Sequence, residues 1–247
     1  MGMVITVASG KGGTGKTTAV ATLASCLAAL GFKTLCIDFD AGLKNLDIPL
    51  CMTDFTVMDY MDILSGRLDL MEACSESPQI PNLFFLAAPV AGDPEIPDPA
   101  KLRSMFDEIR DEFDYCLVDA PSGIGQGFIQ AHEGADMSVI VTTGELPSMR
   151  DAQRAVSAVR DMGIKDVRLL VNRVLPKNYK RIRTTIDDVI DAVGARLLGL
   201  IPEDKYIFRA LHANIPLILY KKRLAAYDFL DAARRITGED LPLRQKK

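Results

Sequence analysis

Residues 10–18 read GKGGTGKTT and follow directly on the apolar, β-branched run Val4–Ala8. The stretch satisfies the pattern G-x-x-x-x-G-K-[ST], and a helical period at Thr17–Leu30 continues from it. Glycines let successive backbone N–H groups converge on phosphate oxygens, and a helix after them points its positive end at the same anion. The first 30 residues are therefore predicted to form a strand, a phosphate loop (residues 10–18) and a helix.

Short apolar runs alternate with helical periods along the rest of the chain. Strands are predicted at Val4–Ala8, Thr34–Ile37, Leu83–Ala87, Tyr115–Val118, Ser138–Thr142, Arg168–Val171 and Leu197–Ile201. Helices are predicted at Thr17–Leu30, Val57–Leu64, Pro99–Glu112, Ser148–Met162, Ile182–Ala192, Tyr206–Ala213 and Leu224–Ile236. This order predicts an α/β fold with three layers: a doubly wound, mostly parallel sheet with helices on both faces. The proline-rich stretch Ser75–Asp98 is interpreted as a surface excursion of that sheet, so residues 1–247 are predicted to form one domain.

Composition limits the function classes. The 247 residues are 48% hydrophobic and 25% charged, which suffices for a core without covalent staples. A net charge of −4 does not indicate a dedicated nucleic-acid binder. The five cysteines contain no C-x-x-C pair, so they fit neither a disulfide framework nor a metal-cluster site and indicate a reducing cytosol. No stretch reads as a bilayer-spanning segment or a secretory signal.

The residue types of the phosphate loop define its chemistry. Lys16 supplies a point charge to the β- and γ-phosphates, and the Thr17 hydroxyl is placed to bind Mg²⁺. The predicted phosphate-binding residues are Gly12, Gly13, Thr14, Gly15, Lys16, Thr17 and Thr18. A second lysine, Lys11, is either a solvated side chain or a cation that reaches a nucleotide phosphate in its own or a facing subunit.

The form of this loop with Lys11, KGGTGKTT, resembles the deviant Walker A motif of the ParA/MinD family of ATPases. Residues 38–47, DFDAGLKNLD, are similar to the switch I segment of its MinD-type members, and residues 119–124, DAPSGI, to their Walker B and switch II segments. With residues 148–151 and 201–204, the resemblance runs from Met3 to about Arg244. It implies a Mg-ATP-dependent, dimerising ATPase that acts as a nucleotide-gated switch in division-site placement or another positioning task.

Three aspartates stand where predicted strands end, at the sheet edge that binds ligands in open α/β folds. Asp38 and Asp40 are either turn aspartates or carboxylates that serve phosphate chemistry. The resemblance implies that Asp40 orients or deprotonates the attacking water. It gives Asp38 a role in supporting Mg²⁺ or the switch geometry, and Asp119 a role on Mg²⁺ through water. The implied catalytic set is Lys11, Lys16 and Asp40, and the implied metal set is Thr17, Asp38 and Asp119.

Further nucleotide contacts are implied at both switches and at two other strand ends. Asn45 is assigned to nucleotide binding, and Gly123 lets its loop approach the γ-phosphate and move when it leaves. The family's adenine pocket uses positions such as Asn172, Arg173, Pro202 and Asp204, which are otherwise ordinary strand-end turns. The sequence contains no guanine-type N-K-x-D segment, which favours ATP over GTP by resemblance.

The resemblance also implies partners. In the family ATP closes two subunits face to face, and the signature lysine of each reaches the other's nucleotide, so an ATP-dependent homodimer is expected with Lys11 at its contact. A MinE-like or other activating regulator is implied at Lys44 and Asn45. Nucleic acid is not expected as a partner.

Family members of the MinD type continue into a basic amphipathic helix that lies on the membrane. Here five residues follow Pro242, too few for such a helix, so membrane association stays open. The predicted location is the cytoplasm, with peripheral attachment to the inner face of the plasma membrane as the alternative. The amphipathic segment Leu224–Ile236 is expected to pack on the sheet through Leu224, Tyr227, Leu230 and Ala233.

Three alternatives remain open at this point. One is a ParA-like or orphan partitioning ATPase that acts on nucleoid DNA or another cargo, with a basic cluster at Lys177, Lys180, Arg181 and Arg183 as its phosphate contact. The second is an iron–sulfur or electron-transfer carrier, which needs a cysteine pair that this sequence does not offer. The third is a nucleotide-gated interaction module with negligible turnover.

Overall fold

The computed structural model describes residues 1–41, 44–54, 58–89, 97–175, 185–220 and 224–244. Its strands form one sheet in the order β3-β4-β2-β5-β1-β6-β7-β8, parallel throughout except for the antiparallel edge strand β3. The strands are β1 (Met3–Ala8), β2 (Thr34–Asp38), β3 (Ser75–Glu76), β4 (Leu83–Leu86), β5 (Tyr115–Asp119), β6 (Met137–Thr142), β7 (Asp166–Val174) and β8 (Arg196–Pro202). The predicted doubly wound, mostly parallel α/β sheet is confirmed.

Helices connect the parallel strands. They are α1 (Lys16–Ala29), α2 (Asp47–Leu50), α3 (Tyr60–Leu64), α4 (Leu70–Ala73), α5 (Pro99–Glu112), α6 (Gln126–Ala131), α7 (Leu146–Asp161), α8 (Ile186–Val193), α9 (Lys205–His212) and α10 (Leu224–Ile236), with a short 3₁₀ turn at Leu217–Leu219. Among the described residues no helix is both long and apolar enough to cross a membrane.

Two apolar cores cover the faces of the sheet. One packs α5, α7 and α8 against side chains such as Val4, Cys116 and Ile140, and the other packs α1 and α10 against Ile5, Leu117 and Val139. These sets alternate along each strand because neighbouring side chains of a strand point to opposite faces. The central strand β1 is therefore buried on both sides, and it delivers the phosphate loop to the carboxyl edge of the sheet.

Helix α10 packs on the sheet as predicted, but through only two of the four predicted residues: Ala233 is buried and Leu230 is partly buried against the core. Leu224 is 65% exposed and Tyr227 44% exposed, whereas Phe229 and Ile236 are buried. The buried face also carries Ala225, Ala226, Ala232 and Ala233, small residues that let α10 lie close to α1, which is itself rich in buried alanines. These small residues allow α10 to approach α1 closely. The exposure of Leu224 and Tyr227 could not be predicted from their apolar character alone.

The boundaries of other elements also shift. Helix α7 begins at Leu146, two residues before the predicted start, because Pro147 fits the first turn of a helix. Helix α8 begins with Thr185 in a capping box; the predicted start at Ile182 lies outside the described residues, as does Val57 at the predicted start of α3. Strand β4 pairs in parallel with β2, so the proline-rich stretch returns to the same sheet as predicted.

Candidate functional site

The phosphate loop owes its shape to glycines in the left-handed region. Gly15, with φ of 86°, is the N-cap of α1 and offers no side-chain cap to the helix N-terminus. A Cβ atom on Gly15 would lie 2.3 Å from the Asn172 amide nitrogen, so only glycine fits there. The free N–H groups of the first turn of α1 therefore face the end of the loop, which suits an anion.

A cleft of about 210 Å³ lies on this loop. Its lining combines the loop with side chains from β2, β5 and the segments after them: Ser9, Gly12, Gly13, Thr14, Gly15, Lys16, Thr17, Thr18, Asp40, Asn45, Asp119 and Ser122. We call this the phosphate cleft. All seven predicted phosphate-binding residues line it, together with Asp40, Asn45 and Asp119.

Lys16, Thr17 and Asp119 form the floor of the phosphate cleft. The Lys16 ammonium donates a hydrogen bond to the Asp119 carboxylate, and both side chains are buried. Burial raises the pKa of Asp119, while Lys16 and a hydrogen bond from Thr17 oppose that rise. A buried lysine next to a buried carboxylate and a hydroxyl gives the site one cation for phosphates and two oxygen ligands for a metal ion.

Asp38 lies beside Asp119 in the register of β2 and β5. Its two carboxylate oxygens accept hydrogen bonds from the backbone N–H groups of Asp40 at 2.8 Å and Leu46 at 3.2 Å. Burial, followed by the charge of Asp119, raises the pKa of Asp38 from 3.8 to about 6. Of the two predicted roles of Asp38, this geometry favours shaping switch I (residues 38–47); metal binding by Asp38 stays a prediction.

The raised pKa of Asp38 predicts a pH dependence of stability. Between about pH 4 and pH 6 the folded chain holds a proton on Asp38 that the unfolded chain releases, so the free energy of unfolding falls as pH rises through this window. The contribution of Asp38 is at most about 3 kcal/mol, from two pKa units at roughly 1.4 kcal/mol each. Urea unfolding in EDTA should show a shallower fall for Asp38→Asn than for the unmodified chain. Equal slopes would contradict the assignment.

Asp40 and Lys44 belong to switch I and have different surroundings. Asp40 lines the phosphate cleft, and its carbonyl accepts a hydrogen bond from Lys44 N at 2.9 Å. The Lys44 ammonium is buried with no hydrogen-bond partner among the described residues, near the carboxylates of Asp38, Asp47 and Asp59. Burial lowers the pKa of Lys44. Asn45 is exposed, so of the two residues expected to meet a regulator only Asn45 presents its side chain outward.

Switch II (residues 119–124) is tied to the end of β1. Gly123 has φ of 91°, and its N–H donates to the carbonyl of Ser9 at 3.0 Å. Ser9 and Ser122 line the phosphate cleft and were not predicted as site residues. Their signal in the sequence was positional only, because each adjoins a predicted motif without belonging to its pattern.

The four residues predicted for an adenine pocket lie at the same sheet edge but outside the phosphate cleft. Asn172 and Arg173 contact the phosphate loop from the end of β7, and Pro202 ends β8. Asp204 caps α9: its oxygens accept from Tyr206 N and Ala225 N, each at 2.9 Å. Those bonds give Asp204 a structural use, and adenine binding by these four residues stays a prediction.

Lys11 is exposed and is not among the residues that line the phosphate cleft. The basic cluster predicted at Lys177, Lys180, Arg181 and Arg183 lies outside the described residues. The five cysteines are free, and four of them are buried.

The residues present fit a nucleoside triphosphate bound together with Mg²⁺. Thr14 Oγ1 is buried and has no hydrogen-bond partner in the described part of the chain. No group of three or more His, Cys, Asp or Glu side chains among the described residues could hold a metal by itself. Mg²⁺ commonly binds one or two protein oxygens together with substrate phosphates. Thr17 and Asp119 can supply those protein oxygens.

Comparisons with known proteins show the family of this chain. A sequence profile of the family described as "CobQ/CobB/MinD/ParA nucleotide binding domain" matches residues 5–217. The septum site-determining protein MinD of Bacillus subtilis is 34% identical, with 99% of this chain and 92% of that protein aligned. MinD of Thermotoga maritima is 36% identical, over 98% of this chain and 91% of that protein.

Solved structures are similar over the same extent. A chain of the MinC:MinD cell division protein complex of Aquifex aeolicus superposes with a TM-score of 0.90 at 35% identity, covering 98% of both chains. Pyrococcus horikoshii MinD, solved with Mg-ADP, gives a TM-score of 0.82 at 29% identity, covering 96% of both chains.

Proposed function

This chain belongs to the CobQ/CobB/MinD/ParA nucleotide-binding family as a MinD-type ATPase, and from that membership we propose that it works as an ATP-gated switch. It binds Mg-ATP, pairs with a second copy while the γ-phosphate is present, and hydrolyses ATP in septum-site placement. The observation that carries the proposal is the phosphate cleft, where Lys16, Asp119 and Asp40 meet around a glycine-shaped loop. We also propose that residues 1–247 form one ATPase domain.

The loop residues bind and orient the phosphates. Backbone N–H groups of residues 12–18 and the helix end at Gly15 face the β-phosphate, and the Lys16 ammonium spans the β- and γ-phosphates. Mg²⁺, when bound, neutralises charge on the β- and γ-phosphates and is held by Thr17 and, directly or through water, by Asp119. Lys16 would turn to the phosphates when a nucleotide is bound, and a Mg²⁺ ion beside Asp119 would then supply the positive charge that Lys16 now gives that carboxylate.

Asp40 supplies the reaction geometry. It stands across the phosphate cleft from the loop, and it follows the strand whose last residue, Asp38, fixes the backbone of switch I. A carboxylate at this point orients or accepts a proton from the water that attacks the γ-phosphate. Because two backbone hydrogen bonds to Asp38 hold the described part of switch I beside the phosphate cleft, we propose that departure of the γ-phosphate lets this segment move.

The partners of the switch are proposed by relationship. MinD relatives at 33–38% identity favour septum-site placement over a ParA-like role, because the ParA family ATPase of Chlorobium tepidum is only 23% identical and supports the fold alone. One structural neighbour is a chain of a MinC:MinD complex, which supports a protein partner of the MinC kind for this chain; an activating regulator of the MinE kind is proposed from the family resemblance alone. The proposed location is the cytoplasm. The alternative is peripheral attachment of the dimer to the inner face of the plasma membrane.

The test of the switch is a charge change at Lys11. Lys11 is exposed, and we propose that its ammonium enters the nucleotide site of a facing subunit, so Lys11→Ala is expected to remain monomeric with Mg-ATP while still binding the nucleotide. Light scattering after size exclusion, with ATP and with ADP, measures the effect. We expect at least a tenfold weaker dimer.

Lys165→Ala provides the matched control, because Lys165 is also exposed but lies in the turn before β7, at the opposite edge of the sheet. It should dimerise like the unmodified chain. ATP-dependent dimerisation of the Lys11→Ala variant at full strength would remove Lys11 from the contact, and a monomer in every nucleotide state of the unmodified chain would overturn the switch itself.

A further inference from the structure

We propose that Asn172 and Arg173, at the end of β7, are positioning residues that aim two backbone N–H groups of the phosphate loop into the phosphate cleft. We call this pair the β7 clamp. The inference rests on the proposed function, since it concerns how the same loop holds phosphates. It differs from a contact with adenine, because its effect is independent of the base.

The β7 clamp donates hydrogen bonds to two consecutive carbonyl groups of the loop. Asn172 Nδ2 donates to the Thr14 carbonyl at 2.8 Å, and Arg173 Nη1 donates to the Gly13 carbonyl at 3.3 Å. Asn172 is 5% exposed, and its Oδ1 accepts from Arg173 N at 2.9 Å, which fixes the amide in one orientation. Both donors stand outside the phosphate cleft, so both carbonyls point away from it.

The direction of a carbonyl sets the direction of the next N–H. In a planar trans peptide the C=O and N–H groups point in opposite directions. Holding the carbonyls of Gly13 and Thr14 outward therefore turns the N–H groups of Thr14 and Gly15 toward the cleft. Within the described ranges neither N–H has a hydrogen-bond acceptor, which leaves both available to phosphate oxygens.

Strand β7 is deformed where the β7 clamp sits. Its pairing with β8 shifts register between Val171 and Val174, and Arg173 adopts φ of 55°. A bulge of this kind re-aims side chains, and a left-handed arginine is retained only when its surroundings hold it. Here the holding contacts are the Gly13 carbonyl and an ion pair with Glu203 at 3.6 Å. The deformation thus turns two successive side chains toward one loop, which a regular strand would send to opposite faces.

Inorganic tripolyphosphate with Mg²⁺ separates the β7 clamp from a base contact, because it has phosphates and no base. Its affinity is measured by displacement of a fluorescent ATP analogue, beside ATP and GTP. Asn172→Asp keeps the size of the side chain but replaces the donor to Thr14 with an acceptor, so tripolyphosphate, ATP and GTP should all bind about tenfold or more weakly. Arg173→Gly removes the guanidinium without backbone strain and should weaken all three by about threefold.

Arg196→Ala is the matched control, because Arg196 is exposed at the far end of the neighbouring strand β8. It should leave all three affinities unchanged. Arg173→Gly changes only an exposed side chain, so it keeps the test open if Asn172→Asp fails to fold.

The outcomes separate the β7 clamp from the proposed function. If the variants weaken ATP but leave tripolyphosphate unchanged, or change the ratio of ATP to GTP affinity, the clamp is wrong and these residues contact the base. If the unmodified chain binds ATP but tripolyphosphate displaces nothing, the clamp is also wrong, while ATP binding stands. If the unmodified chain binds neither, the proposed function fails together with the clamp.

Discussion

An Asp40→Ala variant is expected to bind Mg-ATP and dimerise like the unmodified chain, while its rate of phosphate release falls at least about 100-fold, the usual range for losing a positioned acid–base group. Asp40 lines the phosphate cleft and its charge acts on Asp119, but among the described residues it forms no hydrogen bond or ion pair with Lys16 or Asp119, the pair proposed to hold the phosphates and the metal ion. Removal of the Asp40 carboxylate should therefore leave the affinity for Mg-ATP unchanged and slow the attack of water on the γ-phosphate. Steady-state phosphate release and calorimetric ATP affinity, measured on the same preparation, separate the two quantities.

Two further variants sharpen this test. Asp40→Asn keeps the shape of the side chain, so it should be as slow as Asp40→Ala if the carboxylate accepts a proton, and faster if it only orients the water. Asp54→Ala is the matched control, since Asp54 is an exposed aspartate further along the same excursion after β2. Normal turnover by Asp40→Ala would assign the water to another group of the cleft, and loss of ATP affinity in parallel with rate would make Asp40 a binding residue.

The phosphate loop could be predicted from the sequence because its pattern is local. Nine consecutive residues specify the backbone and the charge, and the preceding strand and following helix fix its place in the sheet. The placement of Asp38, Asp40 and Asp119 could also be predicted from the sequence, since the carboxyl ends of parallel strands lie at one edge of the sheet. The structure brings Asp40 and Asp119 into one cleft with the loop and places Asp38 beside Asp119.

What the sequence could not provide depends on distant contacts. Asn172 follows Thr14 by 158 positions, and no local pattern indicates that its amide holds the Thr14 carbonyl. Asp204 showed a strand-end position but not that both of its oxygens would be used in capping α9 and anchoring Ala225. Similarly, the direction of the Lys44 ammonium depends on the packing of three separate aspartates around it. In each of these three cases, the role of the side chain depends on which distant segment the fold places next to it.

Lys16→Met is expected to weaken Mg-ATP binding by about 10- to 100-fold and to lower dimerisation and turnover with it. The lysine is the one cation among the residues that line the phosphate cleft, and a charged donor to phosphate contributes roughly 1.5–3 kcal/mol. Methionine keeps most of the volume and reach of the side chain, so the buried site stays filled. Isothermal calorimetry with ATP and Mg²⁺ measures the loss.

The same substitution also tests how the buried charges stabilise the fold. Without the ammonium, Asp119 is a buried carboxylate with no cation, and breaking such a pair costs about 3–5 kcal/mol. The double variant Lys16→Met/Asp119→Asn removes both charges and should recover most of that stability in urea unfolding, yet it should still fail to bind ATP. Because Asp119 is itself proposed to hold Mg²⁺, the double variant is compared with Asp119→Asn alone, both in ATP without Mg²⁺; a purely structural lysine would leave these two affinities equal. Retention of ATP binding by a folded double variant would contradict the assignment of Lys16 to the phosphates.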